Sequence, residues 1–176
     1  MTERARTLPT LRPVVIGVGN PYRSDDGVGI EVLQRLRTSG GDAARWETCT
    51  GEPTELLHLW DGAPLALVVD AVRSKARPGT IHRLVVGTDP VPPGSGMVSS
   101  HGVSLPDLIG LGRALGQIPH RLVLYGIEAV SFENGRALSP EVEEQVPELV
   151  SRVLSEVRAF LPGSSEAPEE EGAAHA

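Results

Sequence analysis

At 176 residues the chain has the length of one domain with a sizeable core, and at 3% aromatics that core must be built from Val, Leu, Ile and Ala. Such a composition suits a parallel sheet covered by helices. The net charge is −7, but Glu166, Glu169, Glu170 and Glu171 carry four of those charges, leaving about −3 over the rest and no basic surface for nucleic acid.

The single Cys49 excludes an intrachain disulfide and any multi-cysteine zinc or iron–sulfur site, and reads as a small buried side chain near a strand end. Residues 1–11 carry charges without an apolar core, and no run approaches a membrane span. A cytoplasmic protein with no membrane contact is expected.

In chain order, residues 1–11 read as a loose arm, 12–18 as the first strand and 27–37 as a helix with Val28, Val32, Leu33 and Leu36 on its apolar stripe. Residues 44–48 form a second strand, and Pro53 sits in the first turn of a short helix over 54–60. The uniformly apolar run 64–70 reads as a central buried strand ending in Asp70. A polar loop over 72–78 leads to an edge strand over 80–86, and residues 87–100 form a Gly-, Pro- and Ser-rich loop too long for a mere connector. A helix over 104–115, a fifth strand over 121–126 and a final amphipathic helix over 140–160 complete the domain, 12–161. From Pro162 onward the composition predicts an acidic disordered tail, 162–176.

The first strand opens directly into Gly17-Val18-Gly19-Asn20 and then delivers Asp25 and Asp26 just before a helix. Ligands of open parallel sheets sit beyond the carboxyl ends of the strands, where loops diverge. Asp26, Asp70 and His101 each fall where a loop leaves a strand or enters a helix. Two carboxylates and an imidazole suit a borderline divalent ion such as nickel or zinc, with positions left for water or substrate.

Each has a plainer reading. Asp25 or Asp26 caps the following helix, Asp70 pairs with Arg73, and His101 braces the helix after it. Gly17-Val18-Gly19 lacks the third glycine of a dinucleotide fingerprint, since position 22 is Tyr. No phosphate-binding loop, H-E-x-x-H motif or G-x-S-x-G elbow occurs. A nucleophile drawn from Ser99 or Ser100 would be next to His101 on one loop, where alignment for proton transfer is poor. His58, His82, His120 and His175 read as structural or solvated.

Five blocks in order, Gly17-Val18-Gly19-Asn20, Ser24-Asp25-Asp26-Gly27-Val28-Gly29, Val68-Val69-Asp70-Ala71, Ser99-Ser100-His101-Gly102-Val103-Ser104-Leu105 and Leu124-Tyr125-Gly126-Ile127-Glu128, resemble the hydrogenase maturation proteases over residues 12–160. These endopeptidases trim the C-terminal extension from the large subunit of nickel–iron hydrogenases. The resemblance implies an α/β three-layer sandwich: a twisted, mostly parallel five-stranded sheet with helices on both faces, its antiparallel strand at 80–86. It implies metal-contacting and catalytic roles for Asp26, Asp70 and His101, toward nickel already held by the precursor, with no organic cofactor.

The implied partner is the large-subunit precursor, met by a monomer. One carboxylate would act as general base, and Asn20 either orients Asp26, donates to an oxyanion or makes the turn. A rival from another class is a nickel-dependent chaperone or checkpoint that binds the precursor without cutting it. Where many family members carry Gly-Thr-x-Gly before the second helix, this chain has Cys49-Thr50-Gly51-Glu52-Pro53-Thr54, at a loop expected near the substrate.

Overall fold

The computed structural model describes residues 12–87, 98–99 and 105–161. The expected arm and tail, the middle of the 87–100 loop, and His101 lie outside the described residues.

The strands are β1 (Val14–Val18), β2 (Arg45–Cys49), β3 (Ala66–Arg73), β4 (Ile81–Val85), β5 (Val98–Ser99) and β6 (Leu122–Glu128). They pair in the order β2-β1-β3-β6-β4, with β5 attached to β3. The pairs β1–β2, β1–β3 and β3–β6 are parallel, and β4 runs antiparallel to β6 at the edge. The expected five-stranded sheet is therefore present, and the short antiparallel β5 is added to it through Val72 with Ser99 and Arg73 with Val98. β3 accordingly continues three residues past Asp70, into what reads by composition as a polar loop.

Side chains alternate across the sheet because the strand repeat is two. Val15, Leu67, Val69, Val123, Tyr125 and Ile127 face one core, which is closed by α1 (Val28–Gly40), by Val142 of α4 (Pro140–Glu143) and by α5 (Val146–Phe160). Val14, Ile16, Val18, Cys49, Val68 and Leu124 face the other, closed by α2 (Pro53–Trp60) and by Leu108 of α3 (Leu105–Leu115). This is the three-layer arrangement expected.

The single helix expected over 140–160 is two helices. Pro147 has no N–H to bond the carbonyl of residue 143 and its ring crowds the preceding turn, so α4 stops at Glu143 and Pro147 sits in the first turn of a new helix, α5.

Candidate functional site

The glycines of the first loop decide where the acids go. A side chain at Gly17 would collide with the Gly29 carbonyl, one at Gly29 with the carbonyls of Val18 and Val69, and one at Gly19 with the Asp26 carbonyl. Gly19 also has φ 140°, a conformation L side chains rarely adopt. The 3₁₀ turn Ser24–Gly27 and the start of α1 are thereby pressed onto the ends of β1 and β3. These glycines serve close backbone packing, which accounts for a G-x-G without a nucleotide.

Asp26 arrives fully buried, with the Arg23 guanidinium 3.9 Å from its Oδ2. Asp70 lies on β3 opposite Gly126 of β6, on the sheet face that carries Val68 and Cys49. Its Oδ1 is buried and has no hydrogen-bond partner among the described residues. Burial drives the Asp70 carboxyl well above the usual range, the charge of Asp26 drives it further, and the Ala71 N–H pulls against both. The two acids are thus brought within electrostatic reach of each other. The plainer reading of Asp70 fails, because Arg73 instead stacks its guanidinium 4.7 Å over the Phe132 ring.

Asp25 behaves differently from its neighbour. It is fully buried, yet Oδ2 accepts the N–H groups of Val130 (2.8 Å) and Ser131 (2.9 Å) and the Ser139 hydroxyl (2.9 Å), while Oδ1 accepts the Ser139 N–H (2.6 Å). It does not cap its own helix, as the sequence suggested; it fastens the Asp26 turn to the 129–139 loop. The backbone reinforces this: Ser24 N–H donates to Gly135 O at 2.8 Å and Gly135 N–H to Tyr22 O at 2.9 Å.

Glu128, at the end of β6, is a second such clamp that the sequence reading passed over. It accepts the N–H groups of Ser74 (2.8 Å) and Lys75 (3.1 Å) and the Ser74 hydroxyl (2.7 Å), with His82 Nε2 at 3.4 Å. Its signal was available: like Asp70, it is an acid ending an apolar strand. That signal does not tell a clamp from a ligand.

Asn20 takes the turn role, its Oδ1 accepting the Tyr22 N–H at 2.9 Å. Cys49 is the buried strand-end residue expected. Burial, and to a lesser degree the nearby charges of Glu55 and Asp70, push its thiol up to about 12, so it is no nucleophile at neutral pH. The Cys49–Thr54 loop is organised by Glu55, whose Oε2 accepts from Cys49 Sγ, Thr50 N–H and the Thr50 hydroxyl. Among the described residues, none of the predicted groups forms a metal-holding cluster of three.

Over residues 50–156, more than half of its length, the chain matches the family model described as hydrogenase maturation protease (HycI). The chain belongs to the hydrogenase maturation protease family. It is a peptidase, and the fold agrees with that membership. The hydrogenase expression/formation protein HupD of Rhodobacter capsulatus is 28% identical over 161 residues, covering 87% of this chain and 76% of the relative. The hydrogenase 2 maturation protease of Escherichia coli is 27% identical, covering 84% and 92%. The solved structure of the hydrogenase maturating endopeptidase HybD from E. coli superposes with a TM-score of 0.64 at 25% identity, covering 84% of this chain and 93% of that one. No helix of the described residues is long and apolar enough to cross a membrane.

Proposed function

We propose that this hydrogenase maturation protease removes the C-terminal extension of a nickel–iron hydrogenase large-subunit precursor after nickel insertion, and that Asp26, Asp70 and His101 grip the nickel ion the precursor presents. The observation that carries this reading is Asp70: a buried carboxylate oxygen without a hydrogen-bond donor among the described residues, on a carboxyl pushed up by burial and by the charge of Asp26. A divalent cation relieves that like-charge pressure, and two carboxylates with an imidazole are a donor set that nickel accepts.

His101 belongs to this set by its place in the chain. It follows Ser99 by two residues, and Ser99 is registered against Val72, two residues beyond Asp70. In this arrangement the enzyme's residues hold the metal-bearing end of the precursor so that the scissile carbonyl lies beside the ion. The ion supplies carbonyl polarisation or a bound water of lowered pKa. One of the two carboxylates acts as general base toward the attacking water. Arg23, at 3.9 Å, supplies the counter-charge to Asp26.

The working unit is residues 12–161, acting in the cytoplasm as a monomer without an organic cofactor. The test is to incubate purified nickel-loaded precursor with the chain and weigh the product. Loss of the C-terminal extension supports the reading; an intact mass with a stable complex would instead establish the non-cleaving checkpoint.

A further inference from the structure

Asp70 sits at a gap in the sheet. β1 pairs with β3 as far as Val69 and the short β5 takes over at Val72, so among the described residues Asp70 and Ala71 are paired in the sheet on the β6 side alone. Backbone with few partners is the first to open. A strand that crosses such a gap keeps its course only if it is held beyond it.

Glu128 supplies that hold. Val72, two residues past Asp70 and so on the same face of the sheet, is registered against it. The Glu128 side chain, 3% exposed, reaches past Val72: Oε1 accepts the N–H groups of both Ser74 and Lys75, and Oε2 accepts the Ser74 hydroxyl. Its main chain grips the far end of the same connection, the N–H donating to Thr80 O at 2.9 Å and the carbonyl accepting the Gly79 N–H at 2.8 Å. Both ends of the 74–80 loop thus converge on one residue. Within that loop Lys75 has φ 70°, a left-handed conformation that a non-glycine residue keeps only where its surroundings impose it. The clamp is what lets β3 run on to Arg73 through residues whose composition reads as loop.

We propose that Glu128 is a positioning residue for the cleavage reaction: by holding Ser74 and Lys75 it keeps β3 extended past Asp70 and so fixes where the Asp70 carboxylate stands. The proposal rests on the processing function above. The role is one of reach rather than charge. Both backbone bonds end on Oε1, which an amide oxygen can replace, and the amide nitrogen of a glutamine would face the Ser74 hydroxyl and His82 Nε2, both able to accept.

Two substitutions of the full chain separate reach from charge. Glu128→Asp keeps the charge but withdraws the carboxylate by one methylene; Glu128→Gln keeps the reach and drops the charge. In steady-state processing of nickel-loaded precursor, with rates expressed per folded molecule, Glu128→Asp should lower kcat at least about tenfold, since a displacement near 1 Å has such an effect on an oriented group. Its KM should stay within about twofold of wild type, because the loss lies in the reacting arrangement and not in binding. Glu128→Gln should keep kcat within about threefold, neutral hydrogen bonds replacing charge-assisted ones.

Hydrogen exchange of the free chain provides a readout apart from activity. The amides of Val72, Arg73, Ser74 and Lys75 should exchange faster in Glu128→Asp than in Glu128→Gln, with those of Val14–Val18 unaltered in both. Equal kcat per folded molecule in the two variants overturns the proposal, since the clamp then only stabilises the fold. The reverse order also overturns it, because the charge of Glu128 and not its reach would then matter. So does unchanged exchange at residues 72–75 in Glu128→Asp. Failure of the underlying reading looks different: wild-type protein would leave the precursor's mass unaltered, while exchange would still report whether Glu128 holds the strand.

Discussion

Four carboxylates meet at the carboxyl-terminal edge of the sheet, and they divide into two pairs. Asp25 and Glu128 are wrapped in donors: backbone N–H groups and hydroxyls from a neighbouring loop occupy both oxygens of each. Asp26 is buried and Asp70 half-buried in the same region, the charge of Asp26 bears on Asp70, and Asp70 retains a buried oxygen that none of the described residues serves. A buried acid saturated with amide donors is committed to holding the chain. One raised by burial and a like charge keeps its affinity for a proton or a cation. Adjacent residues of one sequence, Asp25 and Asp26, fall on opposite sides of that line, so burial alone does not identify a site.

Substitution should separate the pairs. Asp70→Asn, Asp26→Asn or His101→Ala should each lower precursor processing by on the order of a thousandfold or more, with urea unfolding showing Asp70→Asn no less stable than wild type because a carboxyl disfavoured by burial and by the charge of Asp26 has been replaced. Full activity in any one of them removes that residue from the grip. Asp25→Ala should do the reverse in kind, leaving the amides of Val130, Ser131 and Ser139 without their acceptor at a cost of about 3–5 kcal/mol in urea unfolding. A loss below about 1 kcal/mol would mean that the clamp is not structural.

Gly19→Ala tests the seat of Asp26 directly. The added methyl meets the Asp26 carbonyl, and the displaced turn should lower processing about hundredfold, read as kcat, since a shift near 1 Å has that effect on an oriented group. The smallest effect is expected far from the edge, at Glu156. Burial would raise its carboxyl, but hydrogen bonds from Arg83 and Tyr125, with the charges of Arg83 and Arg121, outweigh this and hold it below its ordinary value of 4.5.

A carboxyl depressed on folding adds stability that is present above that value and disappears as pH falls through the folded one. Glu156→Gln should therefore cost about 1 kcal/mol at pH 7, the gap closing below about pH 4. A gap that widened in acid would reverse the assignment.

The fold was legible because its signals are local and redundant: period-two strands with apolar runs at 14–18 and 66–69, an α1 stripe at Val28, Val32, Leu33 and Leu36, and Pro53 opening α2. Pro147 marked the break in the last helix, but the amphipathic stripe continues across it through Val146 and Leu149 and hides the interruption. The placement of Asp26 and Asp70 at one edge followed from their positions at strand ends. Their difference from Asp25 and Glu128 did not, because it depends on which N–H groups of residues 74–75 and 130–139 point at which oxygen. Such partners lie some fifty to a hundred residues away in sequence and leave no trace in local pattern.

The central claim is that Asp26, Asp70 and His101 complete the coordination of nickel carried by the precursor. The most direct measurement is nickel K-edge X-ray absorption on nickel-loaded precursor before and after addition of the chain, using the wild type and Asp70→Asn. The account predicts new oxygen and nitrogen scattering near the metal with the wild type, diminished in the variant. A spectrum that the wild-type chain leaves unchanged while it still binds and cuts the precursor would contradict it.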